Sequence, residues 1–280
     1  MKKNTSEELA LIARNRRAHD HIADQYDQKH SEIYNTFEQA RLEQVLEEVI
    51  TRMEVPEPHI LDVGAGTGNI SIKLIKRNCY VTALDVSNAS LEVLRSKVGP
   101  DARLETVRLD GQKLPFPDST FDAVTSYSVL HHIPDYLGAI REMIRVLRPG
   151  GLIYIDHEAS PAAWDPDTNL ATYKSLCKLG ISKHILMLVN TREFFTFDFW
   201  KCAFIKLFLN PRFEREGDIH VWPDDHIEWS EIYAIFAESG VTVEKQVDYL
   251  CYQPRGGREA YDHYYSLCAD MRVIIGRKQA

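Results

Sequence analysis

The stretch Ile60-Leu61-Asp62-Val63-Gly64-Ala65-Gly66-Thr67-Gly68-Asn69 constrains this chain more than any other. Apolar residues lead into an acid, glycines then alternate with small residues, and an apolar helical pattern resumes. That order predicts a buried strand, a tight turn and the opening of a helix. Glycine suits the turn because the backbone bends sharply there, and because a Cβ would hold a ligand away from the main chain.

From His59 onward strands and helices alternate. The pattern predicts strands at 59–63, at 80–84 ending in Asp85, at 104–109 ending in Asp110-Gly111, at 121–126 and at 152–155. Between them it places helices from near Gly68 to Arg77, after a Ser87 cap, and over Ile140, Ile144 and Leu147 up to a stop at Pro149-Gly150-Gly151. Such alternation makes a parallel sheet with helices on both faces. Ligands then sit beyond the carboxyl ends of the strands, where the polar strand-end residues converge.

Residues 1–55 are expected to form a helical arm. Its strongest helix starts at Thr36, with Gln39 placed for a capping box, and carries Leu42, Val45, Leu46, Val49, Ile50 and Met53 at helical spacing. Tyr26 is either a lid over a bound ligand or an anchor of the arm. The α/β core follows over 56–155. Residues 156–228 are rich in aromatics (Trp164, Tyr173, Phe194, Phe195, Phe197 and Trp200 among them) and are expected to form a helical insertion covering the site. Residues 229–280 return to regular structure, with a helix capped by Ser230, strands near 241–249 and 271–275, and a loop at Pro254-Arg255-Gly256-Gly257.

Composition narrows the classes. At 280 residues with 44% hydrophobic and 26% charged residues, the chain has ordinary globular proportions. A net charge of -8 argues against nucleic acid as partner. The five cysteines are scattered and never form a C-x-x-C pair, which disfavours disulfide scaffolds and zinc ribbons and suits a cytoplasmic protein. No apolar run reaches the length of a membrane span or a signal peptide.

Glycine spacing separates two ligand classes. A dinucleotide turn runs G-x-G-x-x-G, whereas these glycines fall at 64, 66 and 68, with no lysine or arginine in the turn to neutralise a pyrophosphate. Asp85 ends the second strand, where a carboxylate accepts from a ribose diol. Asp110-Gly111 ends the third, where an acceptor meets an adenine amino group. Asp62 suits an α-ammonium group. Ribose, adenine and an amino-acid zwitterion without phosphate describe S-adenosylmethionine.

The run from Ile60 to Ile155 resembles the class I S-adenosylmethionine-dependent methyltransferases, in the small-molecule branch that includes the ubiquinone and menaquinone methyltransferases. The matching pieces are LDVGAGTGN (61–69), LDVS (84–87), LDGQKLPFPDSTFDAV (109–124), VLHHIPD (129–135) and LRPGGLIYI (147–155). The resemblance implies a Rossmann-like, seven-stranded, mostly parallel sheet. It implies that Gly64, Gly66, Thr67 and Gly68 cradle the methionine part with Asp62 behind them. It further implies that Asp85 binds the ribose, that Asp110 takes the adenine amino group beside Gly111 and Gln112, and that Ser126 and Tyr127 meet the methionine part. Asp122 is expected to be structural.

Methyl transfer needs a base only if the acceptor must lose a proton. His157, expected just past strand five with Asp156 and Glu158 beside it, and His131 are the candidates. The D-H-E run at 156–158 does not present three ligands to one ion from a strand, so no metal is expected. The expected activity is methyl transfer to a small, apolar or aromatic molecule. A cofactor-binding protein of the same fold with non-methylating chemistry or a regulatory role is the alternative, and the glycine spacing disfavours an NAD-dependent oxidoreductase. Acceptor and oligomeric state are not encoded in any motif.

Overall fold

The structure is a computed structural model and describes residues 5–109, 113–178 and 226–280, together with residues 200 and 204. The arm opens with α1 (Thr5–Ile22), passes through a 3-10 turn at Ala23–Gln25 and the short α2 (Tyr26–Lys29), and ends in α3 (Thr36–Met53). The cap of α3 lies one residue earlier than expected. Asn35 Oδ1 accepts from the backbone N–H groups of Phe37 and Glu38 at 3.0 Å each. Gln39 closes no capping box. Its amide donates to Ile33 O at 3.1 Å and to Asn69 Oδ1 at 3.0 Å, tying α3 to the end of the glycine turn. The stripe Leu42, Val45, Leu46, Val49 and Met53 is buried, as its spacing requires.

The seven strands are β1 (His59–Val63), β2 (Tyr80–Asp85), β3 (Leu104–Arg108), β4 (Phe121–Tyr127), β5 (Leu147–Ala159), β6 (Val241–Tyr249) and β7 (Met271–Lys278). They form one sheet in the order β3-β2-β1-β4-β5-β7-β6. Neighbours among β1 to β5 run parallel, while β7 is antiparallel to both β5 and β6. The expected Rossmann-like, mostly parallel seven-stranded sheet is the observed one. Strand order reverses at β1, which opens a crevice beyond the ends of β1, β2 and β4.

Side-chain alternation sends successive residues to opposite faces. Ile60, Val81, Ala123 and Tyr154 pack on one side with α3, α4 (Ser71–Ile75) and α5 (Asn88–Val98). Leu61, Val124, Ile153 and Ile155 pack on the other with α6 (Tyr136–Val146) and the later helix Trp229–Glu238. Ser87 caps α5 as expected, its Oγ accepting from Ser90 N at 3.1 Å.

Several boundaries differ from the sequence reading. Helix α6 stops at Val146, and Leu147 already pairs with Phe121 in the sheet. The register then shifts so that Ala123 faces Leu152, and Pro149-Gly150-Gly151 occupies a bulge inside β5 rather than a helix stop. At its other end β5 continues through Asp156, His157 and Glu158 to Ala159, with a second irregularity against β7 between Ile155 and Glu158. The Trp229–Glu238 helix is preceded by Glu228 at its N-cap, so Ser230 lies inside it. Gly257, expected in a loop, begins a helix that runs to Tyr264. The segment after β5 opens helically, with α7 (Pro161–Trp164) and α8 (Thr168–Cys177). Phe194, Phe195, Phe197 and the other aromatics of 179–199 and 205–225 lie outside the described residues. Among the described residues no helix is long and apolar enough to cross a membrane.

Candidate active site

A cavity of about 450 Å³ occupies the crevice and is lined by the 63–67 turn, the end of β2, the segment after β4 and the arm. Its size falls in the ordinary range for small-molecule sites, roughly 300–1,000 Å³. Of the residues singled out in the sequence, Gly64, Gly66, Thr67, Asp85, Tyr127 and Tyr26 line it together. Their convergence follows from register, because Val63 lies beside both Leu84 and Ser126 in the parallel sheet.

The turn is built against the tip of β2. Gly64 N and Ala65 N both donate to Leu84 O, at 2.8 and 3.0 Å. Gly66 N donates to Asp85 Oδ2 at 2.8 Å, and Ser87 N donates to Asp85 Oδ1 at 2.8 Å. Gly64 has φ +71°, and a Cβ there would stand 2.4 Å from a Val129 methyl. Gly66 has φ +51° with only Gly64 O at 4.0 Å near a Cβ position, so the space over it is open for a ligand. Gly68 plays a different part from the expected cradle. It does not line the cavity, and a Cβ on it would meet Leu94 of α5 at 2.3 Å. Burial pushes the Asp85 carboxyl up, against the opposing hydrogen bond from Ser87 N and the pull of His19.

The arm closes the opposite wall. Thr67 Oγ1 donates to Asp27 Oδ1 at 2.6 Å and lies 3.2 Å from the Tyr34 hydroxyl. Lys97 Nζ bridges Asp27 Oδ2 at 2.6 Å and Thr67 O at 3.0 Å. Further along, Ser87 Oγ donates to Asp20 Oδ1 at 2.7 Å, which fastens α1 to the start of α5. Tyr26 packs at a tilt on His30, 4.1 Å between centroids, and meets Tyr34 edge-on at 6.3 Å, so it lines the cavity from an aromatic cluster inside the arm. Asn15, His19 and Tyr34 also line the cavity. No motif marked them, because their relation to the turn exists only after the arm folds back on the core.

Other expected site residues lie elsewhere. Asp62 is buried off the cavity wall, with Oδ2 accepting from Ser71 Oγ at 2.6 Å and Oδ1 from Thr125 Oγ1 at 3.0 Å. Burial raises its pKa to about 6. Its carboxylate braces β1 against α4 and β4 and is not presented to the cavity. Ser126 is fully buried and also off the wall. Asp122 accepts from His59 N at 2.8 Å and from Arg148 at 2.6 Å, a structural arrangement. Asp110, Gly111 and Gln112 lie outside the described residues.

The two candidate bases are behind the wall. His157 sits within β5, not past it, at 5% exposure, and does not line the cavity. Its Nδ1 is 3.2 Å from the hydroxyls of both Tyr127 and Tyr249, and its ring stacks on Tyr127 at 4.9 Å. Burial lowers its pKa, with Glu38 and Asp156 acting in the opposite direction. His131 Nδ1 meets Glu158 Oε2 at 2.8 Å, while Glu158 Oε1 accepts from Val129 N and Leu130 N at 2.7 Å each. That pair shapes the chain after β4. His132, next in sequence, is the histidine of the pair that lines the cavity, edge-on to His19 at 5.7 Å.

Residues 61–155 match the methyltransferase domain family. Over 102 residues the chain is 41% identical to a demethylmenaquinone methyltransferase of Clavibacter sepedonicus, covering 36% of this chain and 42% of the relative. Over 101 residues it is 40% identical to the same enzyme of Lysinibacillus sphaericus, covering 35% and 43%. The matched chain thus spans less than half the length of these curated relatives. Among solved structures, a methyltransferase in complex with the Haloferax volcanii Trm112 methyltransferase activator superposes with TM-score 0.55 at 16% identity, over 94% of this chain and 98% of that one. A sarcosine dimethylglycine methyltransferase from Galdieria sulphuraria gives 0.54 at 14% over 86% of each chain. The cyclase SpnF gives 0.52 at 16% over 85% and 81%. At these identities the structures speak for the fold alone. Residues 61–155 thus match the methyltransferase domain family and are similar in sequence to the demethylmenaquinone methyltransferases, within a seven-stranded fold shared with solved S-adenosylmethionine-dependent methyltransferases.

Proposed function

We propose that the cavity binds S-adenosylmethionine and that the chain transfers its methyl group to a small, apolar or aromatic molecule. The observation that carries this reading is the placement of Asp85 at the tip of β2, bonded to the Gly66 N–H and facing the same cavity as the glycine turn. Each carboxylate oxygen accepts one backbone N–H and keeps a lone pair, so the pair can still receive two vicinal hydroxyls. Above Gly66 the open backbone lets an amino-acid moiety approach. These features fit the cofactor. In this reading Asp110, Gly111 and Gln112 hold the adenine.

The bound sulfonium supplies an activated methyl group. What remains for the protein is to align acceptor and methyl carbon and to exclude water. Tyr26, Tyr34 and His19 close the arm side, and the apolar Ile133, Pro134 and Met143 line the cavity beyond the turn. They favour an apolar acceptor, as does the aromatic-rich 156–228 segment in its proposed role as the substrate-covering unit. With His131 and His157 behind the wall, an acceptor that must lose a proton would give it to His132 or His19. The similarity to demethylmenaquinone methyltransferases is consistent with an aromatic acceptor of that general kind.

Calorimetric titration with S-adenosylhomocysteine and with NAD tests the cofactor, and tight binding of NAD alone would refute the reading. Incubation with labelled cofactor and a metabolite extract, followed by mass spectrometry, tests the chemistry through products heavier by one methyl. SpnF, a cyclase, has the same fold. Product formed without transfer of label would therefore favour the non-methylating alternative.

A further inference from the structure

Behind the cavity wall, three segments far apart in sequence bring together a carboxylate, an imidazole and a thiol. Glu38 comes from α3, His157 from the bulge of β5, and Cys251 from the chain just after β6. One ligand atom from each lies within 4.8 Å of the other two, and the three residues are 1%, 5% and 0% exposed. We propose that Glu38, His157 and Cys251 bind a single zinc ion that pins the arm helix to the inner sheet.

The donor set selects the metal. One nitrogen, one sulfur and one oxygen suit zinc, whereas magnesium and calcium require mainly oxygen ligands. Bond lengths of about 2.0–2.3 Å place tetrahedral donors roughly 3.3–3.8 Å apart, so the three side chains need only a small inward rotation. The fourth tetrahedral position would fall to a water.

Charge supports the same assignment. Arg41 Nε lies 2.9 Å from Glu38 Oε2, and its Nη1 lies 3.0 Å from the buried Asp156 Oδ2. One guanidinium therefore faces two buried carboxylates. Adding a divalent ion together with the thiolate it generates brings this group of charges to neutrality, which is the state a buried site favours.

The surroundings are organised as a ligand shell. Glu38 Oε1 accepts from Tyr252 N at 3.0 Å and Oε2 from Arg41, which fixes the carboxylate and leaves a lone pair on each oxygen. Tyr249 OH donates to Asp156 Oδ1 at 3.0 Å and lies 3.2 Å from His157 Nδ1. A His157 protonated at Nδ1 is then held by Tyr249, with Nε2 as the ligand nitrogen. The Cys251 sulfur makes long contacts, 3.8 Å to Glu32 O, 3.9 Å to Tyr252 O and 3.8 Å from the Gln253 side-chain amide. His157 takes φ +58°, a costly conformation for a residue with a side chain, and one that is kept where the surroundings demand a particular side-chain direction.

The test uses the full chain. Protein purified without chelator is expected to hold one equivalent of zinc, with zinc-edge X-ray absorption reading a single sulfur among nitrogen and oxygen neighbours. Cobalt added to the stripped protein is expected to give a thiolate charge-transfer band that Cys251→Ser abolishes and Cys79→Ser retains. A zinc shell without sulfur, no cobalt–thiolate band, or a band unchanged in Cys251→Ser overturns the proposal. The absorption measurement needs no variant, so it decides the question even if Cys251→Ser does not fold.

Discussion

Gly66 donates its backbone N–H to Asp85 Oδ2 at 2.8 Å, so the glycine turn after β1 and the acid at the end of β2 form one unit. The sheet makes this contact possible by setting Val63 beside Leu84. Any ligand that binds over the turn also meets Asp85.

Asp85→Asn is expected to weaken S-adenosylhomocysteine binding by about tenfold to a hundredfold. The loss corresponds to roughly 1.5–3 kcal/mol for hydrogen bonds to a charged group. Calorimetric titration of both proteins measures it. An affinity within a factor of two of the parent would remove Asp85 from the binding site.

Gly64→Ala places a methyl group 2.4 Å from Val129 at a φ of +71°. Overpacking and the left-handed backbone together should cost about 2–4 kcal/mol. Combining it with Val129→Ala removes the two closest contacts, leaving Val129 Cβ at 3.1 Å and the backbone strain, so the double variant should recover part of the cofactor affinity. Denaturant unfolding and titration of the single and double variants check both statements.

Asp62 makes stability depend on pH. Its folded-state pKa of about 6 lies above the ordinary 3.8, so the folded protein holds this proton more tightly than the unfolded chain does. Its contribution to stability therefore declines as pH rises from about 4 to about 6 and stays low above that range. Asp62→Asn keeps partners for Ser71 and Thr125 without carrying a charge. Its melting temperature relative to the parent should rise between pH 4.5 and pH 7. A constant difference across that range would exclude Asp62 as the source.

The link between Asp27 and the turn works in the opposite direction. Burial alone would raise the Asp27 carboxyl, but hydrogen bonds from Lys97 and Thr67 outweigh it and hold the group below 3.8. The stability it supplies is present above pH 3.8 and lost as pH falls through the folded value. Asp27 and Lys97 are about a third exposed, so the ion pair itself contributes at most about 1 kcal/mol. Asp27→Ala should hardly change global unfolding, yet hydrogen exchange in α1 and α2 should speed up as the arm loses its hold on Thr67.

Much of the architecture was legible in one dimension. Alternating strand and helix patterns predicted the parallel sheet, because each strand's apolar run and each helix's stripe is local in the chain. Gly64, Gly66 and Asp85 were legible for a related reason. They sit at strand ends, and parallel strands carry their ends to one edge. Less legible were boundaries that depend on a neighbour, such as the entry of Leu147 into the sheet at a bulge beside Phe121. Pro149-Gly150-Gly151 looks like a helix stop until a partner strand is there to pair with its flanks.

The sequence by itself determined the sheet, the place of its crevice and the turn that faces it, because these follow from periodicity and from glycine at positive φ. The tertiary structure alone decided which polar residues face the cavity. Asp62 turned inward to Ser71 and Thr125, His157 was carried behind Tyr127 by an unforeseen extension of β5, and Asp27 and Tyr34 were brought to Thr67 by the returning arm. The direction of a side chain at a strand end is set by bulges and by partners far along the chain, as the contacts of His157 with Tyr127 and Tyr249, 30 and 92 residues away, show.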